Sequence, residues 1–203
     1  MPFIHEHNLC FVHIPKTGGI SIINKFGIKD NSLNTCYREE ELPYYCNEKG
    51  KELLFSPQHF TPSMIKERYE KFYNSYKKFT IVRNPYTRAI SEYFFREKKA
   101  TTFDNDQFLE WWQKFIYSNC DHILSQSTYF ENIHYDYVLR YENLEQEFND
   151  MCKELGITEG LPHMNSSGID TCSCVPLLTK ESVEFINNLY IEDFTKFNYK
   201  LLP

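Results

Sequence analysis

The stretch His13-Ile14-Pro15-Lys16-Thr17-Gly18-Gly19 (HIPKTGG) decides how this chain is to be read. A short apolar run, Leu9 to Val12, precedes it and reads as a buried strand. Ile20, Ser21, Ile22 and Ile23 follow and can open a helix that ends near Gly27. A strand that breaks at Pro15, turns through two glycines and enters a helix makes a cradle for an anion. The first N–H groups of a helix have no internal partner, and the helix dipole favours negative charge in front of them. Glycines let the backbone come close. Lys16 adds a mobile positive charge, and Thr17 and Ser21 add hydroxyl donors. The local string alone also fits an ordinary tight turn carrying a surface lysine.

Further along, the same pattern returns. Phe79 to Val82 is a β-rich apolar run that leads into Arg83-Asn84-Pro85, an Asn cap followed by a proline at the first helical position. The helix expected over Tyr86 to Lys98 carries Ile90, Tyr93 and Phe94 on its apolar side and Arg88, Ser91 and Phe95 elsewhere. Between the two patterns, residues 28–50 are polar and irregular and read as a surface excursion. Leu53 to Phe55 reads as a short second strand. Thr61-Pro62 then caps a helix, which leaves His59 in a loop between a strand end and a helix start. Residues 104–117 form an amphipathic helix in which Trp111 and Trp112 read as core, the alternative being a platform on which a glycan stacks. The loop after it, with Asp121, His122, Gln126 and Ser127, reads as solvated, the alternative being that His122 and Gln126 line the acceptor side, and Arg88 reads as structural. Tyr135 to Arg140 is a strand, and the helix beginning at Glu142 or Asn143 runs to Leu155 with Gly156 as its stop. A loop over 161–168 and a helix capped by Thr179 complete the chain. Strands alternating with helices indicate one α/β domain over 1–203, with a P-loop-like, mainly parallel central sheet flanked by helices.

Composition narrows the partners. The chain has 203 residues and a formal net charge of −6, so no general basic field exists for nucleic acid or an anionic membrane. An anion site must be a local cluster of Lys, Arg and helix ends. No run of ~18 apolar residues suggests a membrane span, and MPFIHEHNLC lacks the basic and apolar regions of a secretory signal. The seven cysteines are odd in number and scattered, which suggests reduced thiols and a cytoplasmic setting.

Parallel α/β sheets bind ligands outside the carboxyl ends of their strands. Three expected strand ends carry pointed chemistry: the Lys16 turn, His59, and Arg83 with Ser91 on the next helix. Two separate anion sites suit a ligand with phosphates in two places, and an imidazole between them suits a general base. PKTGG after a strand, followed by IVRNPYTRAISEY (Ile81 to Tyr93), resembles the sulfotransferases that use 3′-phosphoadenosine 5′-phosphosulfate (PAPS), in particular the carbohydrate and heparan-type branch called sulfotransferase family 2. QHFTP, the run Tyr135 to Ile157, LPHMNSSG and LYIEDFTKFNY extend the likeness over nearly the whole chain. The resemblance implies that Lys16, Thr17, Gly18, Gly19, Ile20 and Ser21 hold the 5′-phosphosulfate, Ile20 standing where relatives often have Thr. It implies that Arg83 and Ser91 hold the 3′-phosphate and that Asn165 and Ser167 close on the nucleotide. His59 is then the base on an acceptor hydroxyl, a small alcohol or a glycan, and Lys16 stabilises the leaving group. No metal is expected. The alternatives are a P-loop kinase or NTPase, for which the upstream Walker glycine is missing, and a non-catalytic nucleotide- or glycan-binding relative.

Overall fold

The computed structural model describes residues 3–27, 44–46, 52–54, 56–98, 100–118, 120–158, 160–161 and 169–203. Its centre is a four-stranded sheet of β1 (Phe3–Ile4), β2 (Leu9–Val12), β5 (Lys77–Val82) and β6 (Tyr137–Arg140), in the order β1-β2-β5-β6. β2, β5 and β6 run parallel, with Phe11 beside Phe79 and Phe79 beside Tyr137, while β1 lies antiparallel on the edge. The three parallel strands therefore end side by side, at Val12, Val82 and Arg140.

Alternation along the strands splits the core between two faces, because successive side chains of a strand point to opposite sides. Leu9, Phe11, Phe79, Ile81 and Leu139 pack against Ile22 of α1 (Gly19–Lys25) and against Leu144, Phe148 and Met151 of α5 (Leu144–Leu155). Cys10, Val12 and Val82 face Met64 and Ile65 of α2 (Pro62–Ser75). A helical layer of α3 (Pro85–Arg96), α4 (Asn105–Phe115), α6 (Thr171–Cys174), α7 (Lys180–Leu189) and α8 (Ile191–Lys196) packs around Tyr86, Trp112 and Tyr190. The caps follow the sequence: Asn84 accepts from the Tyr86 amide at 2.9 Å ahead of Pro85, and Gly156 ends α5 with a φ of 67°. Trp112 lies in the core, its indole N–H donating to the Ala89 carbonyl.

One expectation fails. The strand expected at Leu53 to Phe55 forms as β4 (Glu52–Leu54), but it does not join the main sheet. It pairs antiparallel with β3 (Tyr44–Cys46), inside the stretch expected to be irregular. Cys46 opposes Glu52, its near neighbour in sequence, and antiparallel pairing suits so near a partner, whereas parallel pairing needs a long crossover. His59 consequently follows no strand of the main sheet. It ends a 3-10 turn, Pro57–His59, on the way into α2.

Among the described residues no helix is long and apolar enough to cross a membrane. Cys10, Cys120, Cys152, Cys172 and Cys174 are free thiols.

Candidate functional site

Outside the carboxyl ends of β2, β5 and β6 the chain encloses a cavity of about 810 Å³, within the size range of ligand pockets. Lys16, Gly18, Gly19, Ile20, Ser21, His59, Arg83 and Ser91 all line it. Residues far apart in sequence meet there because three parallel strands deliver their following loops to one edge.

The first wall is the HIPKTGG loop. Lys16 has a φ of +68° and Gly18 one of +92°, two left-handed residues in three, which folds the chain back before α1 begins. Thr17 is fully buried, and its hydroxyl donates to the Ile14 carbonyl at 2.9 Å. That hydroxyl closes the turn and does not reach the cavity. Gly19 is needed for another reason: a Cβ there would lie 2.1 Å from Nε2 of His13. Only a hydrogen fits between the loop and that ring. The Lys16 ammonium stands 4.0 Å from the centroid of the Phe95 ring. Burial lowers its pKa to about 8; Glu92 raises it and Arg83 lowers it further.

Arg83 joins this wall from the end of β5. Its Nε donates to Thr87 Oγ1 (3.1 Å), Nη1 to the Lys16 carbonyl (3.0 Å) and Nη2 to Thr171 Oγ1 (2.6 Å). Tyr141, at the end of β6, lies under the guanidinium at 3.9 Å. Three of five N–H groups are thus engaged, all with neutral oxygens, and two remain for a ligand. The backbone of Arg83 is fixed by Gln126, whose side-chain amide accepts from the Arg83 N–H and donates to its carbonyl, each at 2.8 Å. Asp193 accepts in turn from the Gln126 backbone N–H at 2.9 Å and from the Ser127 N–H at 2.8 Å.

The second wall is built of imidazoles. His59 Nδ1 lies 3.0 Å from Asp121 Oδ2, and both side chains are buried. His122 Nδ1 lies 2.7 Å from Glu92 Oε2, whose other oxygen accepts from Arg96 at 2.9 Å. The His59 ring meets His122 edge-on at 4.8 Å and His13 edge-on at 4.9 Å. Burial lowers the His59 pKa below the ordinary imidazole value, with Asp121 acting against it. Burial would raise the Asp121 carboxyl, but the bond and charge of His59 bring it below the usual carboxylate range. His13, buried and with no hydrogen-bond partner for Nδ1, is pushed far below its ordinary value by burial first and by its histidine neighbours next. Donor atoms of His59, Asp121 and His122 lie within 4.8 Å of one another, a spacing that could hold a metal ion. The 3.0 Å between Nδ1 and Oδ2 is, however, that of a hydrogen bond.

The loop read as solvated is therefore packed. Asp121 and Gln126 are buried, and His122 lines the cavity, because Arg88 threads between them. Arg88 is structural as expected: it donates to the Pro15 carbonyl at 3.2 Å and to the Leu124 carbonyl at 2.7 Å, and lies 3.8 Å from Asp193. Asp121 and Thr171 fall in no motif, and Glu92 and Tyr141, though inside runs that carry the family likeness, were not singled out by sequence. An Asp directly before a His was the one local hint. Asn165 and Ser167 lie outside the described residues.

Searches of curated proteins and of solved structures return no match. A family model described as the sulfotransferase family matches residues 3–200. That match spans both walls of the cavity and all four strands beneath them, and the chain belongs to the sulfotransferase family.

Proposed function

We propose that this chain, folded as a single P-loop-like domain over residues 1–203, transfers the sulfuryl group of PAPS to a hydroxyl acceptor. The observation that carries the reading is one cavity with two unlike walls: Lys16 and Arg83 stand on one, and His59 on the other. Lys16 and Arg83 bring two cations to one wall, and neither is bonded to a carboxylate among the described residues. Such a wall fits an anion with two charged groups. PAPS supplies the activated sulfuryl group and a good leaving group. Lys16, with the backbone of Gly18 to Ser21, faces the 5′ side, and Arg83 and Ser91 hold the 3′-phosphate with the two N–H groups left over and a hydroxyl.

His59 accepts the proton of the acceptor hydroxyl on Nε2 as that oxygen attacks sulfur. Lys16 neutralises the charge that grows on the oxygen being released. The chemistry is positioning and charge stabilisation, as in phosphoryl transfer, and it asks for no metal. The acceptor is a neutral alcohol or glycan, because the acidic chain offers no basic track for a long polyanion.

Thermal shift tests the donor. At about 100 times its dissociation constant, 3′-phosphoadenosine 5′-phosphate should raise stability by about 2.7 kcal/mol. ATP with magnesium and AMP should do far less. A shift with ATP–magnesium alone would replace the sulfotransferase reading with a kinase or NTPase.

A further inference from the structure

We propose that Asp121 is a positioning residue for His59, fixing the imidazole in the tautomer that carries its hydrogen on Nδ1 and leaves Nε2 bare toward the cavity. The geometry stands by itself, and its use in catalysis rests on the sulfuryl-transfer reading above.

Asp121 Oδ2 is held from two directions. It accepts from the Ser56 backbone N–H at 2.9 Å and faces His59 Nδ1 at 3.0 Å. An ionised carboxylate only accepts, so the hydrogen between the pair belongs to Nδ1. A neutral imidazole protonated there has its lone pair on Nε2, and His59 lines the cavity. The rest of the ring is also constrained. His13 and His122 pack edge-on against it, and the Tyr129 hydroxyl donates to the His59 carbonyl at 3.1 Å. Among the described residues the other acid acting on His59, Glu92, is already bonded to His122 and Arg96. His122 Nε2 comes no closer to Asp121 Oδ1 than 3.9 Å.

In the transfer step the acceptor oxygen forms a bond to sulfur while the bond from sulfur to the bridging phosphate oxygen breaks. The acceptor proton goes to His59 Nε2. The Nδ1 hydrogen stays where it is, and Asp121 takes no proton but meets the new imidazolium with its charge.

The test combines nitrogen NMR of the His59 ring across pH with acceptor kinetics, in the full chain and in Asp121→Asn and Asp121→Ala. Wild type should show the Nδ1–H tautomer. Asp121→Ala should show a tautomer mixture and a His59 midpoint moved to lower pH, because bond and charge are both gone. Asp121→Asn keeps the shape and the bond to Nδ1–H but loses the charge, so its midpoint should also fall, by less. The acceptor kcat should drop about 10-fold or more with KM little changed, and the acid limb of kcat/KM should follow the midpoint. If Asp121→Ala does not fold, the Asn variant carries the comparison alone. An unchanged tautomer and midpoint, or a lower rate with an unmoved acid limb, would overturn the inference. NMR changes as expected, in a protein that binds the bisphosphate nucleotide and sulfates no alcohol, would support the positioning geometry and overturn the transfer reading.

Discussion

The two walls of the cavity treat charge in opposite ways. On the imidazole wall every positive or potentially positive group with a partner faces a carboxylate: His59 faces Asp121, and His122 and Arg96 share Glu92. On the cationic wall Arg83 is bonded to two hydroxyls and a carbonyl, and the Lys16 ammonium stands over the Phe95 ring. A guanidinium buried among neutral oxygens has geometry without neutralisation. Arg88, five residues on in α3 and equally buried, shows the contrast, because it has Asp193 beside it. On the proposed function, the difference fits a cationic wall that takes an anion from outside and an imidazole wall on which a proton moves.

The largest effect should come from breaking the cationic wall. Lys16→Ala should lower kcat for sulfuryl transfer by about 10²–10³-fold, the usual loss when one stabilising donor is removed from a developing oxyanion. Product formation from labelled PAPS would measure it. A loss under tenfold would mean that the charge on the leaving oxygen is met elsewhere.

Gly19→Ala tests the seam where the walls touch. The added methyl must displace His13, and overpacking of this kind costs about 1–3 kcal/mol. Denaturant titration should show that loss, and His13→Ala in the same chain should recover much of it as coupling between neighbours. Independent, additive effects would show that the ring is not the obstacle.

The pH profile sharpens the comparison without removing a side chain. As the proposed base His59 must be neutral, so activity should be lost as pH falls through its depressed pKa, below the ordinary value of 6.5. As the proposed stabiliser of the leaving group Lys16 must be charged, so activity should fall as pH rises through about 8. The kcat/KM profile should be a bell between those limits. Lys16→Arg should move the alkaline limb upward and leave the acid limb in place.

The cationic wall was legible in sequence because each of its two pieces is a local run with its own pattern, although they lie 67 residues apart. Strand, Pro15, Lys16 and two glycines fall in one run, and Arg83 repeats the pattern of a strand, an Asn cap and a proline. The imidazole wall was half legible. His59 stood out beside Thr61-Pro62, but Asp121 reaches it from 62 residues away, and no periodicity links them. His13 sits inside the most telling motif, yet its role as the ring that fills the place of a Gly19 Cβ depends on a contact only the fold creates. The alternation of strands and helices identified the sheet. It did not show that Glu52–Leu54 would leave it, because a three-residue strand carries too little pattern to choose between a distant parallel partner and a near antiparallel one.

The smallest expected effect concerns an apolar side chain set into the cationic wall. Ile20 is 45% exposed and lines the cavity one residue into α1. Replacing it with Thr keeps the β-branch, so helix entry should tolerate it and stability should change by no more than about 0.5 kcal/mol. The new hydroxyl would stand beside the Lys16 loop, where one net hydrogen bond is worth about 0.5–1.5 kcal/mol. That converts to a roughly 2–10-fold tighter Kd for 3′-phosphoadenosine 5′-phosphate, read by calorimetry, with no comparable gain for the acceptor KM. Tighter nucleotide binding would place the 5′ group against α1. An unchanged Kd would show that the anion sits nearer Arg83, and that the two cations of this wall serve one group and not two.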